Sequence, residues 1–280
     1  MRILLCLNRD LMSSLALNLL WPALREHVFD IVLSRGVAPA APRAPDIAAW
    51  QDLEHRYVED GLFRLLNARG PTGKFRSFEQ CGVKSESGKP RAFANINQNE
   101  GLAYVRRFAP DLIVSIRFAQ IVKAPLIALP RYGILNLHSG TLPEYRGVLA
   151  TFWAMLEGAS EIGCTLHYVT DGTIDTGPIV GARKRTPDWT HSLLWNVASL
   201  YPGGARMVAD AIERLSQGAS LATTQQDRAG GRYFSYPNEE QMAQFRARGG
   251  VLYSREDYAE IFGKFGLSRS QVTAILESLA

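Results

Sequence analysis

Short apolar runs alternate with segments of helical spacing along most of this 280-residue chain, and this alternation limits its fold more than any other feature. Residues 2–7, 31–34 and 112–116 resemble buried strands, and residues 12–25 and 98–107 have apolar side chains at helical spacing. Such alternation favours a mostly parallel sheet with helices on both faces, so we predict an α/β fold. We also predict a third strand at residues 78–83, a loop at 36–45, and helices at 46–67, 150–158, 203–217 and from a cap at Thr190 to about 200.

The apolar run at residues 132–137 places two polar side chains at the end of a further strand. Strand side chains alternate in direction, so Asn136 and His138 lie on the same side. We expect both at the carboxyl edge of the sheet, where open α/β sheets hold their ligands. This pair suits acyl transfer, since an amide can donate a hydrogen bond to an oxyanion and an imidazole can donate another or handle protons near neutral pH.

A carboxylate that orients the imidazole could come from a later turn. Asp171 and Asp175 both lie there, and Gly172 and Gly177 permit backbone shapes that other residues resist. Each polar residue has an ordinary structural explanation when it is taken alone, as a strand cap, a buried polar contact or a turn former. Three such residues in otherwise apolar elements are harder to explain by packing, so we interpret them as one site.

Residues 136–139, 142–147 and 174–177 together resemble the signature of the folate-dependent formyltransferase family, in the same order and spacing. The resemblance covers about residues 1–218 and is strongest over 107–180. It implies a Rossmann-like formyltransferase fold for a catalytic domain at 1–218. It also implies that the enzyme moves the formyl group of 10-formyltetrahydrofolate to an amine, without a metal.

The resemblance also implies roles for single residues. Asn136 would donate to the formyl oxygen, and His138 would help to stabilise the oxyanion of the tetrahedral intermediate. Asp175 would orient or charge His138 and accept the proton that the amine loses, with Asp171 as the fallback. The loop after the strand at 112–116 and the backbone opposite it would form the folate pocket, from Phe118, Ala119, Gln120, Ile121, Val122, Thr170 and Asp171.

Residues 219–280 are expected to form a small, mainly helical extension. It is too short and too helical to resemble the β-barrel with which methionyl-tRNA formyltransferases hold tRNA, and it is more similar to the tails of enzymes that formylate small amines. We predict a small-molecule acceptor, a hydroxyornithine-type siderophore precursor or an amino sugar. The alternatives are methionyl-tRNA, hydrolysis of the formyl-folate by water, and a folate-binding protein without catalysis. The aromatic residues at 233–236 could stack on a substrate or close the core.

Composition excludes several other classes. The net charge of +4 is mild and no long basic run occurs, so nucleic acid is not a required partner. The three widely spaced cysteines indicate neither a disulfide framework nor a zinc site. Residues 1–7 are typical of a first strand, and no apolar stretch reaches the roughly 18 residues of a membrane span. We therefore expect a cytoplasmic protein; its oligomeric state is not predicted.

The loop after the first strand argues against substrates held by a phosphate group at that place. Residues 8–11 read Asn-Arg-Asp-Leu and lack the glycines that let a backbone approach a phosphate closely. This disfavours a dinucleotide-dependent dehydrogenase, and within the resembled family it disfavours the glycinamide ribonucleotide branch.

Overall fold

The computed structural model describes residues 1–34, 44–69 and 75–277, and these residues form two sheets. The first sheet has seven strands in the order β3-β2-β1-β4-β5-β7-β8, and the second pairs β6 with β9. The strands are β1 (Arg2–Asn8), β2 (Val28–Ser34), β3 (Arg91–Ala92), β4 (Leu112–Ile116), β5 (Ile134–His138), β6 (Tyr145–Gly147), β7 (Ile162–Val169), β8 (Ile179–Arg185) and β9 (Arg232–Phe234).

The direction of the strands confirms the predicted α/β fold. From β3 to β5 every neighbouring pair is parallel, whereas β7 runs antiparallel to both β5 and β8. The strands β1 and β4 are almost wholly buried, because helices cover both faces of the sheet. The carboxyl ends of β1, β4 and β5 therefore meet at one edge, where their polar residues come together.

Helices divide the core into two layers. On one face, Leu4, Cys6 and Ile113 pack with Tyr104 and Phe108; on the other, Ile3, Leu5 and Leu7 pack in a larger cluster. The helices are α1 (Leu11–Leu24), α2 (Pro45–Glu54), α3 (Arg64–Arg69), α4 (Phe78–Gly82), α5 (Asn99–Phe108), α6 (Ala124–Ile127), α7 (Ala150–Leu156), α8 (Leu193–Ala198), α9 (Tyr201–Ser216), α10 (Glu239–Ala247), α11 (Arg255–Gly263) and α12 (Arg269–Glu277).

The predicted strand at residues 78–83 is wrong, since this segment is the helix α4. Ser77 and Gln80 form a capping box, in which each side chain accepts a hydrogen bond from the other residue's backbone N–H. These local bonds fix a helical turn whatever the apolar content of the segment. The third strand is the later β3, which pairs with β2 over two residues.

Two helix boundaries also differ from the predictions, and the predicted loop falls largely outside the described residues. Ser192 caps α8 by accepting from Trp195 N, whereas the hydroxyl of Thr190 donates to Asp188. The predicted helix at 46–67 is interrupted, because a π-helical segment at Val58–Phe63 separates α2 from α3. Of the predicted loop at 36–45, residues 36–43 lie outside the described part of the chain.

The C-terminal extension packs onto the larger layer of the core through Phe245 of α10. Its ring is fully buried, 4.8 Å from the ring of Phe152 in α7 and 5.9 Å from that of Trp189. We predict that Phe245→Ala lowers the free energy of unfolding by about 3–5 kcal/mol, because it leaves a cavity between the extension and the rest of the core. Denaturant unfolding measures this, with the half-exposed Tyr253→Ala as control. A change below 1 kcal/mol would contradict this packing.

An ion pair joins α11 to the residues just before α8. His191 Nδ1 lies 2.6 Å from Asp257 Oδ1, and Ser192 N donates to the other oxygen. The hydrogen bond with Asp257 raises the pKa of His191, and although burial acts to raise the pKa of Asp257, its bonds with Ser192 and His191 lower it. The pair therefore stabilises most at pH values between the unfolded-state pKa of an aspartate, near 4, and that of a histidine, near 6.5.

We predict that His191→Gln lowers the unfolding midpoint by roughly 2 °C at pH 5.5. The raised pKa means that this stabilisation is full below about pH 6.5 and is lost as the pH rises through the folded-state value. At pH 8 the variant and the wild type should therefore unfold closer together. Thermal unfolding at both pH values measures this, and an equal difference at both would exclude a contribution from the imidazolium.

Within the described ranges, no helix is both long and apolar enough to cross a membrane. Cys6, Cys81 and Cys164 are all free and buried. Burial raises the pKa of Cys6 and Cys81 to about 12 and that of Cys164 to about 11. The thiols are thus uncharged near neutral pH and form part of the core.

Candidate active site

A cavity of about 690 Å³ opens at the carboxyl edge of the main sheet. Its floor includes Asn8 from the end of β1, Arg117 after β4, and Asn136 and His138 on β5. The strand order brings these residues together, because β1, β4 and β5 are neighbours and run in the same direction. The cavity thus lies where the sequence placed the ligand site.

Asp175 lies directly against the β5 pair. Its Oδ2 is 3.4 Å from His138 Nδ1, and its Oδ1 is 3.3 Å from the amide nitrogen of Asn136. His138 Nε2 lies 2.7 Å from the carbonyl oxygen of Tyr145. Both ring nitrogens of His138 therefore face acceptor oxygens.

The turn that carries Asp175 has an unusual backbone. Asp175 has a φ of 55°, in the left-handed region that few residues other than glycine adopt. A Cβ at Gly177 would lie 1.8 Å from the carbonyl oxygen of Tyr168, so only glycine fits there. This conformation returns the carboxylate over β5, where Gly147 N donates to Oδ2 at 2.9 Å.

The charge of Asp175 is stabilised despite its burial. Its side chain is 9% exposed. Burial acts to raise its pKa, but the nearby imidazoles of His138 and His167 outweigh that effect and lower the pKa to about 2. Asp175 is therefore a carboxylate at any pH where an enzyme of this kind would work. Asp171 is exposed, and its carboxylate accepts from Thr173 N within the same turn.

His167 is a member of this cluster that the sequence analysis did not identify. It lies on β7 opposite Asn136, is almost fully buried, and places Nε2 3.0 Å from the Asn136 amide nitrogen and 3.4 Å from Asp175 Oδ1. Its Nδ1 lies 2.9 Å from the carbonyl oxygen of Tyr168. When Nδ1 donates there, Nε2 accepts from Asn136 and fixes the orientation of that amide. The sequence shows a histidine inside the mostly apolar segment of β7, but it does not show the register that places this histidine opposite Asn136.

Most of the residues predicted to hold the folate line the cavity. Phe118, Ala119, Gln120, Ile121, Val122 and Asp171 all line it, whereas Thr170 is exposed and is not among the lining residues. Gln120 fixes the wall, since its side chain accepts from Ile96 N at 2.7 Å and donates to Phe93 O at 2.9 Å. Ile121 is 52% exposed at the mouth of the cavity. An apolar wall backed by a few fixed polar groups is typical of a small-molecule site.

A buried ion-pair network lies beside the cavity, next to the first residues of α1. Arg117 contacts Asp10 at 2.8 Å and Glu54 at 2.7 Å. Burial acts to lower the pKa of Arg117, but these two carboxylates outweigh it and hold the pKa well above its ordinary value. Asp10 also caps α1 by accepting from Ser13 N. A carboxylate thus lies at the amino end of the helix, where a phosphate-binding loop would present free N–H groups.

The C-terminal extension forms another part of the wall. Tyr233 and Tyr236 line the cavity. Phe234 instead packs between Trp153 and Tyr145, with ring centroids 4.9 Å and 5.7 Å away. Within this aromatic segment, Phe234 therefore closes the core, whereas the two tyrosines face the cavity.

One group of residues with suitable metal ligands occurs in the described parts of the chain. It consists of His191, Asp257 and Glu260. All three already form hydrogen bonds where α11 contacts α8, since Asp257 binds His191 and Ser192 N, and Glu260 accepts from the indole of Trp195. None of the three lines the cavity.

Residues 72–187 match the formyl transferase family. The methionyl-tRNA formyltransferase of Agathobacter rectalis is 28% identical over 161 residues, which cover 56% of this chain and 50% of that protein. The chain thus spans about half the length of the curated relatives it matches.

Solved structures show the same fold at low identity. Glycinamide ribonucleotide transformylase 1 from Symbiobacterium toebii aligns with a TM-score of 0.55 and 16% identity, over 81% of this chain and 94% of that one. An N-formyltransferase from Helicobacter canadensis, in complex with folinic acid and dTDP-3-aminofucose, aligns with a TM-score of 0.50 and 14% identity, over 85% and 71%. These alignments confirm the predicted formyltransferase fold. Residues 72–187 therefore match a formyl transferase domain, and the chain shares its fold with solved formyltransferases.

Proposed function

We propose that this chain transfers the formyl group of 10-formyltetrahydrofolate to the amine of a small molecule. The observation that carries this proposal is the meeting of Asn136, His138 and Asp175 at the floor of a cavity whose wall is residues 118–122. The relation to the formyltransferase family supports the donor, and the Helicobacter relative was solved with folinic acid. Catalysis would then come from holding the amine near the formyl carbon and stabilising the oxyanion.

Asn136 would bind the formyl oxygen as it becomes an oxyanion. In the present structure one hydrogen of its amide points to His167 at 3.0 Å and the other to Asp175 at 3.3 Å. The bond to Asp175 is the longer of the two, and it is the bond that the amide would exchange for the formyl oxygen when negative charge develops there. His138 would also help to stabilise that oxyanion.

Asp175 would act as an orienting and charge-stabilising group. With a pKa of about 2, the Asp175 carboxylate is a poor general base for the proton that the amine loses. The low pKa therefore favours the orienting role over the proton-accepting role, and water in the open cavity would receive the proton.

The acceptor that we propose is a hydroxyornithine-type amine, ahead of an amino sugar. Asp10 argues against a substrate phosphate at the start of α1, because its carboxylate already accepts from Ser13 N there. The described extension consists of one short strand, one 3₁₀ turn and three α-helices. The cytoplasmic location and a place in siderophore assembly stay predictions.

Methionyl-tRNA is the second candidate acceptor, because the curated relatives that match this chain are named methionyl-tRNA formyltransferases. Release of tetrahydrofolate from 10-formyltetrahydrofolate, followed by absorbance, separates the candidates. The parallel acceptors are N5-hydroxyornithine, an amino-sugar nucleotide, charged methionyl-tRNA and no amine. We expect hydroxyornithine to accelerate the release of tetrahydrofolate. If only the charged tRNA accelerates it, methionyl-tRNA is the acceptor instead. Equal release without any amine would indicate hydrolysis, and folate binding without release would indicate a binding protein.

A further inference from the structure

We infer that Gln226, in the C-terminal extension, is a positioning residue that holds the Asp175 carboxylate against His138. The inference rests on the proposed function, since it concerns the same site. Gln226 lies 51 residues after Asp175, outside the segment that matches the formyl transferase family.

Gln226 binds the backbone of the Asp175 turn at two points. Its amide nitrogen donates to the carbonyl oxygen of Asp175 at 3.1 Å and to that of Gly177 at 2.6 Å. One side chain therefore bridges both ends of the motif Asp175-Thr176-Gly177. A left-handed backbone at a non-glycine residue costs on the order of 1 kcal/mol, so it persists only where surrounding contacts hold it.

The position of Gln226 is itself fixed by the sheet. Ile179, the first residue of β8, pairs with Thr224 through two backbone hydrogen bonds of 2.8 Å, in antiparallel register. In that register the residue two places after Thr224 faces the residue two places before Ile179. The pairing thus places Gln226 beside Gly177, which is where the hydrogen bond is found.

The same extension also supports the carboxylate from its other side. The strand β9 pairs with β6, and Val148 N donates to Phe234 O at 2.9 Å. Gly147, the last residue of β6, then donates its N–H to Asp175 Oδ2. The extension therefore supports both the backbone and the carboxylate of Asp175.

The substitution Gln226→Met tests this role, because it keeps an unbranched side chain and removes the amide. Gln225→Met is the matched control, since Gln225 is the exposed neighbour in the same segment. We expect kcat of Gln226→Met to fall about 10-fold to 100-fold, because small misplacements of catalytic groups have effects of this size. The KM for the folate and the unfolding midpoint should stay near the wild-type values, and Gln225→Met should behave as wild type.

A double substitution separates positioning from a general structural role. If Gln226 acts through Asp175, then Gln226→Met should have no further effect on kcat in an Asp175→Asn background. An equal loss in both backgrounds would overturn the inference, as would an unchanged kcat or a joint loss of kcat, folate binding and stability.

A readout without turnover keeps this inference apart from the proposed function. The ring resonances of His138 in NMR spectra should shift in Gln226→Met and not in Gln225→Met, because the carboxylate beside the ring moves. If no amine accepts a formyl group but this shift occurs, the proposed function fails and the positioning role stands. If transfer occurs and neither kcat nor the resonances respond, the positioning role fails alone.

Discussion

Asp175→Asn is expected to lower kcat for formyl transfer about 10³-fold while the protein stays folded. The substitution keeps the size of the side chain but removes the charge that lies 3.4 Å from His138. It also replaces an oxygen that accepts from Gly147 or Asn136 by an NH₂ group that cannot accept. The loss should therefore appear in kcat, with little change in the KM for the folate.

Asp171→Asn is the comparison that shows which aspartate acts. Asp171 is exposed and bonds within its own turn, so this substitution should change kcat less than threefold, with any effect in the KM for the folate. Steady-state kinetics and circular dichroism of both variants measure this. A 10³-fold loss with Asp171→Asn, or near-normal kcat with Asp175→Asn, would show that Asp175 is not the catalytic carboxylate.

Asn136→Ala is expected to lower kcat about 10²-fold to 10³-fold, which is the usual effect of removing one oxyanion donor. Asn136 lies on β5 in a closely packed strand, but its amide faces the cavity, so the strand itself should form normally. Binding of 5-formyltetrahydrofolate, measured by calorimetry, should stay within threefold of the wild-type value. An equal loss in affinity and in kcat would instead mean that Asn136 binds the ground state.

His167→Gln offers a control for that interpretation. A glutamine at this position keeps a polar side chain beside Asn136 but loses the geometry that fixes its amide. If His167 fixes the orientation of Asn136, the variant should lose kcat by a smaller factor than Asn136→Ala. An unaffected kcat would show that the amide is oriented without His167.

The sequence was sufficient for the parts of the site that are encoded locally. Asn136 and His138 share a face because strands alternate, and Asp175 lies in a turn whose glycine is required by a close backbone contact. The segment at 78–83 shows the limit of apolar content as a guide. Its capping box, Ser77 with Gln80, was present in the sequence and outweighed the apolar residues.

The remaining parts of the site depend on contacts between distant segments. His167 joins the cluster because β7 runs antiparallel to β5 in a register that places it opposite Asn136. Gln226 joins it through the single pair of Ile179 with Thr224. Strand register and such pairings are set by the packing of the whole chain, so no local pattern could have placed these two residues beside Asn136 and Asp175.

The most direct test of this account follows the formyl carbon itself. Wild-type protein is incubated with 10-formyltetrahydrofolate labelled with ¹³C in the formyl group and with N5-hydroxyornithine, and the products are analysed by mass spectrometry, beside Asp175→Asn. The account predicts a labelled N-formyl product in amounts equal to the tetrahydrofolate released, and about 10³-fold less of it with the variant. Labelled formate without formylated amine, or equal product from both proteins, would contradict it.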